Sequence, residues 1–129
     1  MPTADPAKNY SLSFEHRPDY LYAYVSGEQD SYEISKQYWL EIAEQLKHTD
    51  YLRILVDEDI EEAASVADVF KLVSEFPRMG FSGIRIAFYD RKIAHHDLNE
   101  FGALVASNRG MDGKVFNDLE LAEKWITSK

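Results

Sequence analysis

Three segments carry side chains dense enough in function to do chemistry. The first is the run Asp57-Glu58-Asp59-Ile60-Glu61-Glu62, which contributes five of the 23 acidic residues and no base. Carboxylates at that density can hold Mg²⁺ or Ca²⁺. The run lacks the alternating Asp/Asn and the glycine of a calcium loop, so a solvated acidic loop is the simpler expectation. Asp57 after a strand also fits a phospho-acceptor. That chemistry needs an acidic pair after the first strand and a lysine after the last, and Ser11-Leu12-Ser13 and Asn117-Asp118 supply neither. The second segment is His95-His96-Asp97. It offers two imidazole ligands, where a protein metal site usually takes about three or four. Base catalysis would need a nucleophile, and no serine sits in a glycine-bounded motif. A polar loop with Asp97 capping a helix is expected, and no metal. The nearby Arg91-Lys92 can bind a phosphate or acidic group, or form a solvated basic turn. The third is the alternation Tyr20, Tyr22, Tyr24 against Leu21, Ala23, Val25. If the aliphatic set faces the core, three rings line the other face over about 13 Å. Such rings make a good partner or ligand surface, because they bury large area at low entropic cost. The alternative is a sheet covered on both faces, with the tyrosines in the core. No cofactor and no catalytic residue are expected.

Elements that position these residues follow from periodicity. Tyr10, Leu12, Phe14 and His16 alternate with Ser11, Ser13 and Glu15, a strand with one buried face. Arg17-Pro18-Asp19 is a turn into a second strand, residues 20–26, which Gly27 ends; so short a connection predicts an antiparallel hairpin. Tyr38, Trp39, Ile42, Ala43 and Leu46 have helical spacing and predict a helix over residues 35–48, capped by Ser35 or by an earlier box of Asp30 with Glu33. Residues 51–56 form a nearly continuous apolar strand, suited to a doubly covered position. Ser65 opens a second helix with the stripe Val66, Val69, Phe70, Val73 and Phe76, closed by Pro77 and Gly80. Residues 84–89 are a strand. Asp97 with Glu100 caps a third helix, which ends at a left-handed Gly110. Asp112-Gly113 is a turn before a strand at 114–116, and Asn117 with Glu120 caps a last helix. Trp39 and Trp125 fall on apolar stripes and belong to the core. The order β-β-α-β-α-β-α-β-α predicts a single mixed sheet flanked by helices, an α/β domain over residues 10–129 with a loose leader at 1–9.

Composition sets the frame. A chain of 129 residues that is 45% hydrophobic and 29% charged suits one folded domain and excludes wholesale disorder. The absence of cysteine excludes disulfides and thiolate chemistry. A net charge of -9 argues against a nucleic-acid partner, whose binders carry a basic footprint. With no apolar run long enough to span a bilayer and no signal segment, a cytoplasmic location is expected. A partner at the acidic end of the sheet is expected to be cationic or apolar.

Val25-Ser26-Gly27, Ile54-Leu55-Val56-Asp57 and Arg85-Ile86-Ala87 are followed by a more specific C-terminal run: Phe101-Gly102, Ala106-Ser107-Asn108-Arg109-Gly110, Val115-Phe116-Asn117-Asp118 and Glu120-Leu121-Ala122-Glu123-Lys124-Trp125-Ile126, in that order. On these residues the sequence resembles the SpoIIAA-like family of the STAS (anti-sigma-factor-antagonist) fold, often described alongside CRAL-TRIO lipid-binding domains. The likeness covers residues 10–126. It implies a non-enzymatic regulatory or protein-interaction domain, with a homodimer through the tyrosine-bearing hairpin as one form. Carriage of a lipid or other apolar small molecule is the alternative. In the sporulation regulators of this fold a serine opening the second helix is phosphorylated. Ser65 holds that place as a phospho-switch candidate, but in the context Ala63-Ala64-Ser65-Val66-Ala67, without the Asp and Gly of the Asp-Ser-Ser-Gly signature. A plain N-cap is the other reading of Ser65.

Overall fold

The fold is that of a computed structural model, which describes residues 8–129. Of the expected leader only Lys8 and Asn9 are described, and Lys8 ion-pairs with Glu41 at 3.2 Å. Five strands form one sheet: β1 (Tyr10–His16), β2 (Leu21–Gln29), β3 (Arg53–Glu62), β4 (Arg85–Asp90) and β5 (Asp112–Phe116). They lie in sequential order, with β1 antiparallel to β2 and every later pair parallel. The crossovers are α1 (Tyr32–Lys47), α2 (Val66–Glu75) and α3 (His96–Ser107), and α4 (Leu119–Ile126) follows β5. Because each new parallel strand joins the same edge, crossovers of one hand place their helices on one face of the sheet. Tyr38, Trp39 and Ile42 of α1, Leu72 and Val73 of α2, and Val105 and Ala106 of α3 accordingly share the larger core with Leu21, Ala23, Val25, Ile54 and Val56. On the other face, among the described residues, α4 is the helix that packs, through Ala122 and Ile126, against Tyr20, Tyr22, Leu55 and Ala87. Among the described residues no helix is long and apolar enough to cross a membrane.

Element order and sheet class are those expected; several boundaries differ, each for a local reason. The acidic run at 57–62 is not a loop but the second half of β3, with Asp57 and Glu58 buried. Two neighbouring strands hold it: Asp57 pairs in register with Tyr24 and Tyr89, and Glu58 with Val25 and Asp90. Helix α1 starts at Tyr32, where the Ser31 side chain accepts from the Ile34 N–H. Ser35 lies inside the helix and is buried against Asp30, to which its hydroxyl donates at 2.5 Å. Asp97 sits in the first turn of α3 without capping it, because a 3-10 turn, Ile93–His95, feeds the helix directly. The last helix is capped by Asp118 rather than Asn117: its side chain accepts from the Leu121 N–H at 3.1 Å. Asp112 and Gly113 begin β5. Gly27 does not end β2. It lies within the strand opposite Tyr10, where a Cβ would meet the Asn9 carbonyl oxygen at 3.0 Å. Gly110 has φ +78°, the left-handed helix stop that the sequence predicts.

Candidate functional site

The functional side chains gather where the parallel strands end. At the carboxyl ends of β3 and β4 the sheet and helices α1, α2 and α3 enclose a cavity of about 120 Å³. Ligands of open α/β sheets commonly occupy this end. Its apolar wall comes from Trp39, Val69, Val73, Phe88, Leu98 and Ala106. Its polar wall comes from Asp30, Ser35, Tyr38, Glu58, His95 and Asn99. The period of two in β3 sends Glu58 to this face with Val56, and Asp57 to the other.

The polar wall is a connected network. The Tyr38 hydroxyl lies between two carboxylates, donating toward Asp30 Oδ2 at 2.8 Å and Glu58 Oε1 at 2.7 Å. Asp30 also accepts from the Ser31 N–H at 2.8 Å. Asp90 accepts from the Lys92 N–H at 2.8 Å and from Asn99 Nδ2 at 2.9 Å, and His95 Nδ1 lies 3.1 Å from its Oδ2. Burial pushes Glu58 well above the ordinary carboxylate range, and the charges of Asp30 and Asp90 push the same way. Burial also raises Asp30, against the pull of the donors Ser35, Tyr38 and Ser31. Tyr38 is raised by burial and then by the two carboxylates it faces. One ligand atom each of Glu58, Asp90 and His95 lie within 4.8 Å of one another, a set able to offer three donors to a divalent cation. Only His95 of the expected histidine pair belongs to it. The register that sets Glu58 beside Asp90 assembles this group, a pairing that chain order hides.

The opposite face uses its acids differently. Arg91 grips the fully buried Asp57 with two bonds, Nε to Oδ1 and Nη2 to Oδ2, each 2.9 Å. The Tyr22 hydroxyl donates to the same carboxylate. Lys92 pairs with Glu61 at 3.0 Å, and Tyr24 donates to Asp59 at 2.8 Å. So Arg91-Lys92 is not a free anion site; it neutralises the outward row of β3. The tyrosine stripe is the wall of the smaller core. Tyr20 and Tyr22 are 6% and 9% exposed, and only Tyr24 is half-exposed. The Arg17 guanidinium lies over Tyr22, 4.5 Å from its ring centre. The first two rings therefore offer no open surface for a partner. Trp39 is buried in the larger core, and Trp125 packs on the smaller one.

Ser65 is the N-cap of α2 and is exposed; its hydroxyl oxygen accepts from the Asp68 N–H at 3.1 Å. Val66 and Phe70 beside it are 59% and 48% exposed. A second, shallower hollow, at the amino ends of the strands, is lined by His16, Asp19, His48 and Thr49.

These features sit on a fold shared with a solved structure. The chain is similar to an uncharacterised protein of the DUF3478 family, with a SpoIIAA-like fold, from Shewanella loihica PV-4. The match covers 97% of this chain and 99% of that one, with a TM-score of 0.51 and 16% identity. No family model and no curated protein matches the sequence. The chain has the SpoIIAA-like α/β fold.

Proposed function

We propose that this domain binds a small, largely apolar molecule in the cavity between its sheet and helices α1, α2 and α3, and does not transform it. One observation carries the reading. The cavity of about 120 Å³ opens at the carboxyl ends of β3 and β4, with an apolar wall facing a polar one. Size limits the ligand. A dry apolar cavity of about 150 Å³ holds benzene, so this space suits one ring or a short branched chain rather than a lipid acyl chain. The polar wall has side chains to orient a ligand but no activated nucleophile. Native mass spectrometry of freshly purified protein tests the reading. A retained small organic mass, lost in Val73→Phe with an unchanged circular dichroism spectrum, supports it. A clean apo mass, together with no thermal shift from ring-sized probes, opposes it.

A second reading, an interaction domain that works through a protein partner or a second copy, draws support from α2. There an exposed Ser65 adjoins exposed Val66 and Phe70 on one helix face. A phosphate on Ser65 would lie against the free N–H groups of the helix start. Sedimentation of the wild type, Phe70→Glu and Ser65→Glu decides the second-copy form: a self-associated species lost in either variant supports it, and a monomer throughout opposes it.

A further inference from the structure

The larger core of this protein contains a charge imbalance. Asp30 and Glu58 line one end of the cavity and Asp90 lies beside Glu58, with Glu58 and Asp90 at 6% and 3% exposure. Among the described residues no lysine or arginine side chain bonds to any of the three; their one ion-pair partner is His95. The neighbouring Arg91 and Lys92 are committed elsewhere. Arg91 is held by Asp57 and Lys92 by Glu61, both on the far face of the sheet. Lys114 borders the cavity through its place on β5, but its ammonium lies 5.6 Å from the ring centre of Phe116, which packs with the far core. Buried carboxylates are tolerated when they are paired, hydrogen-bonded or protonated. Here the hydroxyl of Tyr38 is shared between Asp30 and Glu58, and Asp30 also accepts from the Ser31 N–H and the Ser35 hydroxyl.

We propose that the ligand of this cavity is a small organic amine, whose ammonium group is received by Glu58 and Asp30 and whose apolar part lies against Val69, Val73, Phe88 and Leu98. The inference rests on the cavity-binding reading and adds the sign of the ligand's charge. The geometry suits a cation better than a neutral polar head. An ammonium brings three donors to the Asp30 and Glu58 oxygens, and its charge favours the ionised form of Glu58, whose proton is released to solvent as the ammonium binds. Charge-assisted bonds of this kind are about twice as strong as neutral ones. An anion would meet the Asp30 and Glu58 carboxyl groups and is disfavoured.

The test compares benzylammonium with benzyl alcohol, probes of nearly equal shape, by calorimetric titration into the full chain near neutral pH. Benzylammonium is expected to bind at least about tenfold more tightly. Glu58→Gln and Asp30→Asn are each expected to weaken benzylammonium about fivefold or more and to leave benzyl alcohol within about twofold. Two substitutions are used so that, if one folds poorly, the other still decides the question. If benzyl alcohol binds as well as benzylammonium, the amine assignment fails and the cavity reading survives. If neither probe binds, and Val73→Phe changes nothing, both fail. A retained divalent ion that a chelator removes, and that blocks benzylammonium while present, also overturns the amine assignment.

Discussion

Asp57 and Glu58 are consecutive residues of β3, both buried, and their side chains enter opposite cores with opposite electrostatic treatment. On the α4 face Asp57 receives a two-pronged Arg91 and a tyrosine hydroxyl, and Asp59 and Glu61 beside it meet Tyr24 and Lys92. On the face of α1, α2 and α3, Glu58 meets a shared tyrosine hydroxyl and two further acids. The first arrangement is closed: each acceptor is matched, and the neighbouring rings fill the space. The second encloses an empty volume and leaves its acids without a strong cation. A carboxylate with a fixed guanidinium holds the fold together. A carboxyl group left short of charge is costly to keep, and its place beside a cavity supports the proposed ligand-binding wall.

Removing the guanidinium is expected to produce the largest effect. Arg91→Ala leaves Asp57, at 0% exposure, with Tyr22 as its remaining side-chain partner. Breaking a buried pair by deleting one member costs about 3–5 kcal/mol. Arg91 itself is 43% exposed, so the lower end, about 3 kcal/mol, is expected. Urea unfolding measures it. A loss under about 1 kcal/mol would mean that water reaches Asp57 and that the α4 face is not closed.

Neutralising the acid on the other face should act in the opposite direction. Glu58→Gln keeps an acceptor for Tyr38 and removes the ionisable group, and a gain of roughly 1–3 kcal/mol at neutral pH is expected. The sign follows from linkage. The unfolded chain ionises Glu58 near its ordinary value of 4.5, whereas the folded chain keeps the proton to much higher pH. Between those two values the unfolded state binds fewer protons, so stability falls as pH rises through that window. Asp30, also raised, contributes with the same sign. The variant should therefore show a flatter decline than the wild type as pH rises above the ordinary carboxylate range. An identical slope in both would show that Glu58 ionises freely in the folded protein, and the contrast between the faces would lose its basis.

The contrast was only half legible in the sequence. Strand alternation separated Leu21, Ala23 and Val25 from the tyrosines, and it holds in the structure. Whether a helix covered the tyrosines was not legible, because that cover is the eight-residue α4, distant along the chain. The run at 57–62 read as a loop because five acids in six residues suggest solvation. Its strand conformation comes from pairing with β2 along the run and with β4 at Asp57 and Glu58, which outweighs local propensity. Period two does persist there, with Asp57, Asp59 and Glu61 on one face and Glu58, Ile60 and Glu62 on the other. The Arg91-Lys92 pair was visible as a basic turn, but its partners depend on register. Asp30, Tyr38 and Asn99 gave no signal as site residues, since each looks like an ordinary cap or helix residue until three helices converge. Ser65 and Gly110, whose roles are set by immediate neighbours, were legible as cap and stop.

A smaller change tests how tightly the α4 face is matched. Tyr22→Phe removes one donor from Asp57 and leaves both Arg91 bonds in place. Burial and the neighbouring Asp57 raise the Tyr22 hydroxyl, which therefore stays protonated and donates. The expected loss is about 1 kcal/mol, the ordinary worth of one hydrogen bond, again read by urea unfolding. A loss near that of Arg91→Ala would mean that the hydroxyl, not the guanidinium, holds the buried charge.

The smallest effect on stability belongs to the cavity side, and its sign is informative. Gly102 lies in α3 facing α2, and a Cβ there would meet Val69 Cγ1 at 3.2 Å. Alanine gains up to about 1 kcal/mol of helix propensity over glycine. The close contact opposes that gain unless Val69 can move. Val69 lines the cavity, so open volume adjoins it. Gly102→Ala is therefore expected to stabilise the protein slightly, by about 0.5 kcal/mol, as Val69 shifts into the cavity. The same shift should weaken benzylammonium several-fold. If Gly102→Ala destabilises the protein by about 1 kcal/mol or more, Val69 cannot yield, and the volume beside it is not available to a ligand.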